Sequence, residues 1–160
     1  MIVLGIDPGL VQTGYGLIKI NGEKKTVLDY GTISPDTKTS LAIRLNVIFE
    51  DLITIIDEYK PTTMVIEEVF FGKNVKSALL LGHARGVAMV CASKYKIPVF
   101  EYSARKIKQS ITGNGNAHKS QIKFMVMNEL KLKEFNAPID ASDALAIAIC
   151  HLYQLKLDEL

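Results

Sequence analysis

A chain of 160 residues has room for one domain with a real core. Its apolar content of 48% and net charge of +2 are those of an ordinary globular protein. No apolar run is long enough to cross a bilayer, and the first residues read as a strand rather than a signal peptide, so a cytoplasmic protein is expected. Cys91 and Cys150 lie far apart in apolar helical patterns. They read as buried free thiols in a reducing compartment, which excludes a cysteine zinc site. The histidines His83, His118 and His151 show no metal-ligand spacing, and His83 and His151 read as structural residues of apolar helices.

The chain opens with Ile2-Val3-Leu4-Gly5-Ile6-Asp7-Pro8-Gly9, an apolar run that ends on a carboxylate and is broken by Pro-Gly. Tyr15 to Ile20 reads as a second strand. Asn21-Gly22 is a two-residue hairpin signal, and Lys25 to Ser34 a third strand. Ser40 can cap a helix whose apolar residues Leu41, Leu45, Ile48, Leu52 and Ile55 recur at three and four. That helix ends near Lys60-Pro61. Met64 to Val69 is a further strand with Glu67 and Glu68 at its end. Phe70 and Phe71 follow in a loop, as a stacking platform for unpaired bases or as cover for the sheet edge.

Ser77 to Lys94 is helical and apolar on nearly every side, which fits either a buried helix or a subunit interface. Gly82, Ala84, Gly86 and Ala88 would let another backbone come close. Pro98 to Tyr102 reads as the fifth strand. A basic helix, Ala104 to Ile111, carries Arg105, Lys106 and Lys108. A turn at Gly113 to Asn116 precedes a helix from His118-Lys119-Ser120 to about Leu132. The last helix spans about Ile139 to Leu155. With no internal repeat and no linker, residues 1–160 read as a single domain. A meander followed by β-α-β-α-β units implies a mixed five-stranded sheet covered by helices on both faces, an α/β fold.

Charge is unevenly spread. Residues 1–72 carry a net −4, residues 73–133 a net +10 and residues 134–160 a net −4. A basic block between acidic segments suits a polyanion held beside an acidic centre. Acids that carry chemistry stand at three places: Asp7, Glu67 or Glu68, and the pair Asp140 and Asp143 at the start of the last helix, which share one face. Strand alternation sends Glu67 and Glu68 to opposite faces, and the pattern alone does not choose between them. Taken singly, Asp7 reads as a turn cap, and Asp140 and Asp143 as acids favoured by a helix N-terminus. Together, on one predicted sheet edge, they point to a site for hard cations, Mg²⁺ or Mn²⁺. Two such ions clamp the attacking and leaving oxygens of a phosphodiester.

The stretches LGIDPGLVQTGYG, VIEEVFFGKNVKSALLLGHARG, FEYSARKIKQSITGNGNAHKSQ and DASDALAIAICH resemble the RuvC family of Holliday-junction resolvases. They occur in family order and spacing and span residues 2 to 155. The resemblance implies a ribonuclease H-like fold and a homodimer, for which Ser77 to Lys94 is the candidate contact. It also implies Mg²⁺-dependent endonuclease activity on four-way junction DNA, with two Mg²⁺ per subunit and Mn²⁺ as a substitute. The family's RuvA-RuvB branch-migration complex becomes an expected partner. By the same resemblance the catalytic, metal-holding acids are Asp7, Glu67, Asp140 and Asp143, the DNA-contacting lysines are Lys108 and Lys119, and the junction-stacking aromatic is Phe70. Two rival readings are an RNA-processing nuclease of the YqgF type and a non-catalytic junction binder or half of an actin-like ATPase. The former does not resemble this chain around Phe70 or Asp140 to Asp143. An ATPase of that kind needs a second lobe, and a binder has no need of converging acids.

Overall fold

The computed structural model of the chain describes residues 1–68 and 74–158. The opening meander consists of β1 (Ile2–Asp7), β2 (Thr13–Asn21) and β3 (Lys24–Ile33). The β2–β3 hairpin turns at Gly22, whose φ of +58° suits glycine. Helix α1 (Leu41–Tyr59) leads to β4 (Thr63–Glu67), and α2 (Val75–Lys94) to β5 (Val99–Tyr102). Helices α3 (Ala104–Thr112), α4 (Lys119–Glu129) and α5 (Ile139–Asp158) complete the chain. The Ser40 hydroxyl caps α1 by accepting the Ile43 N–H, and the helix stops at Lys60, left-handed at φ 48°, just before Pro61.

The five strands form one mixed sheet in the order β3-β2-β1-β4-β5. β1 runs antiparallel to β2 and parallel to β4, and β4 runs parallel to β5. Alternation sorts the side chains into two cores. Leu4, Ile6, Leu17, Met64 and Ile66 face α1 and α2. Val3, Ile18 and Val65 face α3, α4 and α5. Both faces are therefore covered, and the central strands read as near-continuous apolar runs for that reason. Cys91 and Cys150 are buried, one in each core, as free thiols.

The sequence left two readings for α2, a buried helix or a subunit interface, and α2 is not fully buried. Ala84, Ala88, Cys91 and Ala92 pack inward, while Leu79 and Val90 are each 60% exposed. Gly82 and Gly86 meet nothing within 4 Å. By length and composition α2 would suit a bilayer, but its inward edge belongs to the core of the sheet. His83, read as a structural residue, is exposed, with Nδ1 2.8 Å from the Leu79 carbonyl. His151 meets expectation, being 2% exposed with Nδ1 2.9 Å from the Tyr102 hydroxyl.

α5 crosses the sheet over a floor of glycines. Gly5 and Gly16 are register partners in β1 and β2, and Gly14 is the partner of Asp7. A methyl group on Gly5 would stand 2.1 Å from the Ala144 carbonyl oxygen, and one on Gly14 2.1 Å from that of Asp140. On Gly16 it would meet the movable Leu145 side chain at 2.7 Å. Replacement Gly5→Ala is expected to cost about 3 kcal/mol or more, because helix backbone must move, and Gly16→Ala less. Shifts in the urea unfolding midpoint of the two variants check this order.

Candidate metal centre and nucleic-acid interface

Asp7 closes β1 and Glu67 closes β4. These strands are parallel neighbours paired through Ile6 and Ile66, so both carboxylates emerge at the same sheet edge. Asp7 follows Val3 and Gly5 on the α5 face, and Glu67 follows Val65. The glycine floor lets the first turn of α5 come down over β2 opposite Asp7. Carboxylate oxygens of Asp7, Asp140 and Asp143 lie within 4.8 Å of one another. Glu67 lines the adjoining cleft of about 180 Å³ with Asp7, Asp143, Lys108 and Lys119.

The loop after Asp7 is tied from two sides. The Thr13 hydroxyl donates to the Gly9 carbonyl at 2.7 Å and accepts the Gly9 N–H at 3.3 Å. From α1, the Arg44 guanidinium donates to the Leu10 carbonyl at 2.5 Å. At the other end, Asp140 and Asp143 share a face of α5. The dipole of that helix favours anions in its first turn, where Asp140 stands.

The electrostatics are those of crowded anions. Burial, then the charges of Glu67, Asp143 and Asp140, push the Asp7 carboxyl up to about 7. Burial and Asp143 raise that of Glu67, against the pull of Lys119 and Lys108. The Lys119 ammonium reaches into the cluster. It donates to Asp143 Oδ2 at 2.8 Å and stands 4.0 Å from Asp140 Oδ1. That hydrogen bond raises the Lys119 pKa. A protein cation thus already partly offsets the repulsion among these acids. An all-oxygen donor set with no nitrogen or sulfur fits a hard divalent cation.

Of the residues singled out from sequence, Asp7, Glu67, Asp140, Asp143, Lys108 and Lys119 converge here. Glu68 does not. It stands one residue past the end of β4, in a hollow lined also by Leu79, His83, Arg85 and Glu101. Phe70 and Phe71 lie outside the described residues. Sequence reasoning gave no role to Gly5, Gly14 and Gly16, or to Arg44. A signal for the glycines was present, since glycine inside a strand marks close backbone approach.

The comparisons with known proteins agree with this geometry. Residues 3–151 match the family model for crossover junction endodeoxyribonuclease RuvC. The chain belongs to the RuvC family. It is 48% identical to the crossover junction endodeoxyribonuclease RuvC of Alkaliphilus oremlandii, over 100% of this chain and 98% of that one. It is 50% identical to that of Legionella pneumophila, over 94% and 86%. Among solved structures, Thermus thermophilus RuvC in complex with a Holliday junction substrate matches with a TM-score of 0.91 and 30% identity, over 99% of this chain and 96% of that one. The mixed sheet with its helices is the ribonuclease H-like fold of the RuvC family.

The raised Asp7 pKa has a sign. Between pH 4 and 7 the unfolded chain releases this proton while the metal-free folded protein keeps it, so folding stability falls as pH rises through that interval. The loss stays in full at higher pH. Metal-free Asp7→Asn is expected to match the wild type near pH 4 and to exceed it at pH 8 by on the order of 3 kcal/mol. Mg²⁺ should raise the melting temperature of the wild type and not of the variant. Thermal unfolding with and without Mg²⁺ across this pH range checks both.

Proposed function

We propose that this chain resolves four-way (Holliday) DNA junctions during recombination and DNA repair, by paired, symmetric, metal-dependent phosphodiester hydrolysis. The observation that carries the proposal is the meeting of Asp7, Asp140 and Asp143 within 4.8 Å, beside Glu67, Lys108 and Lys119, in a chain of the RuvC family. Asp7, Glu67, Asp140 and Asp143 would hold two Mg²⁺, with Mn²⁺ as a substitute, and these would supply an activated water and charge neutralisation at the phosphate. Water attacks phosphorus in line and the bond to the 3′ oxygen breaks, leaving 5′-phosphate and 3′-hydroxyl ends. Asp7 would serve as its carboxylate, the form that a neighbouring cation favours. Lys119 turns from Asp143 to a phosphate oxygen, and Lys108 holds the backbone across the cleft. Phe70 enters the opened centre of the junction.

A four-way junction presents two equivalent strands, and a two-fold pair of subunits can cut both. The exposed apolar side of α2, with open space over Gly82 and Gly86, is the surface proposed for that contact. The RuvA-RuvB complex is the partner proposed for delivering junctions, and the cytoplasm the proposed compartment.

A synthetic junction incubated with Mg²⁺ is expected to yield nicks at symmetric positions in two opposed strands, and a structured RNA to stay intact. Asp7→Asn should abolish cleavage while leaving metal-free junction binding within about twofold. Leu79→Arg should give monomers in sedimentation at micromolar concentration and lose the pairing of cuts. Cleavage of RNA alone, or full activity of Asp7→Asn, would refute the reading.

A further inference from the structure

α3 lines two different hollows. Ala104, Ile107 and Lys108 line the acidic cleft. Arg105, Lys106, Gln109 and Ser110 line a second hollow of about 370 Å³, closed by Ser103 and by Gln154 of α5. Every lining residue is polar and none is acidic. Among the described residues, neither Arg105 nor Lys106 is ion-paired, whereas Lys25, Lys60, Arg85 and Lys119 all are.

Both cations are placed rather than loose. The Lys106 ammonium lies 5.3 Å from the centre of the Tyr102 ring, a cation–π contact. Arg105 crosses the α3–α4 loop at Gly115, where an added methyl would meet its Cγ at 2.7 Å. Ser110 donates its hydroxyl proton to the Ile107 carbonyl at 2.8 Å, whereas Ser103 accepts the Lys106 N–H and keeps its own proton. That leaves the guanidinium, the ammonium, the Ser103 hydroxyl and the amides of Gln109 and Gln154 to serve an incoming ligand. Five donor groups with a double positive charge and no carboxylate fit a phosphodiester.

We infer that this hollow is a second DNA-backbone site, which holds a phosphate of the junction arm leading away from the cut. The inference rests on the function proposed above. Arg105 and Lys108 are three residues apart and so neighbours on the helix surface. A strand held at Lys108 can therefore pass over Arg105 into the hollow without crossing an acid of α3. The site adds affinity and fixes the direction of the arm, and it leaves the chemistry to the cleft.

The test is metal-free binding of a four-way junction, followed by fluorescence anisotropy against salt. The double variant Arg105→Gln, Lys106→Gln is compared with the wild type and with Lys24→Gln, an exposed lysine at the opposite end of the sheet. Two lost phosphate contacts are expected to lower the slope of log K against log salt by about 1.8 and affinity roughly tenfold, with the cut positions unchanged. Lys24→Gln should behave as wild type. Independently of any variant, bound junction should protect Lys106 of the wild type from acetylation in a mass-spectrometric footprint. A double variant with wild-type slope and affinity would overturn the inference. Should that variant not fold, an unprotected Lys106 overturns it equally. Failure of the wild type to bind junctions would instead sink the proposed function.

Discussion

Packed layers of secondary structure usually stay about 10 Å apart because side chains separate them. At the centre of this molecule that spacing is given up. Gly5, Gly14 and Gly16 remove the side chains from the strands, and Ala141, Ala144 and Ala148, all buried, keep the helix side small. α5 therefore rests on β1 and β2 backbone to backbone. This contact brings a helix terminus, with Asp140 and Asp143, down to the end of a central strand. The same contact fixes the height of those acids above Asp7, so packing and chemistry share one set of residues.

The convergence has an electrostatic cost, and the neighbourhood is arranged around it. Three carboxylates and a fourth beside them would favour protonation, as the raised Asp7 and Glu67 pKa values show. Lys119 supplies a positive charge from the first residue of α4, a helix that packs on α5. The α3 helix brings Lys108 to the other wall. Two lysines thus flank the acids, and an incoming phosphodiester finds positive charge beside them.

Much of this was legible in the sequence. The strands, the hairpin at Asn21-Gly22 and the crossover helices carry strong local signals, and their order leaves few topologies. The acids Asp7, Asp140 and Asp143 could be read as a group because strand ends and helix starts are marked by Pro-Gly and by helical spacing. The choice between Glu67 and Glu68 could not be made from pattern. It depends on which face of the sheet α5 covers, a tertiary fact, and only the family resemblance pointed to Glu67. Nor could pattern choose between the two readings of α2, because apolar composition is the same for a core helix and for a helix at a subunit interface.

The placement of Glu67 has a consequence for how this chain can vary. Adjacent residues of an extended chain point to opposite sides of a sheet, so Glu67, which ends β4, and Glu68 after it stand in unrelated surroundings, one in the acidic cleft and one beside Arg85 and Glu101. Deleting one residue before Glu67, with the strand's start held, would carry Glu68 into the cleft and turn Val65 and Ile66 to each other's faces. Loss of two would restore the facing of the apolar residues. Between Thr63 and Glu67, then, tolerance to length change should follow an even–odd rule, whereas the exposed β2–β3 turn is bound by no such rule.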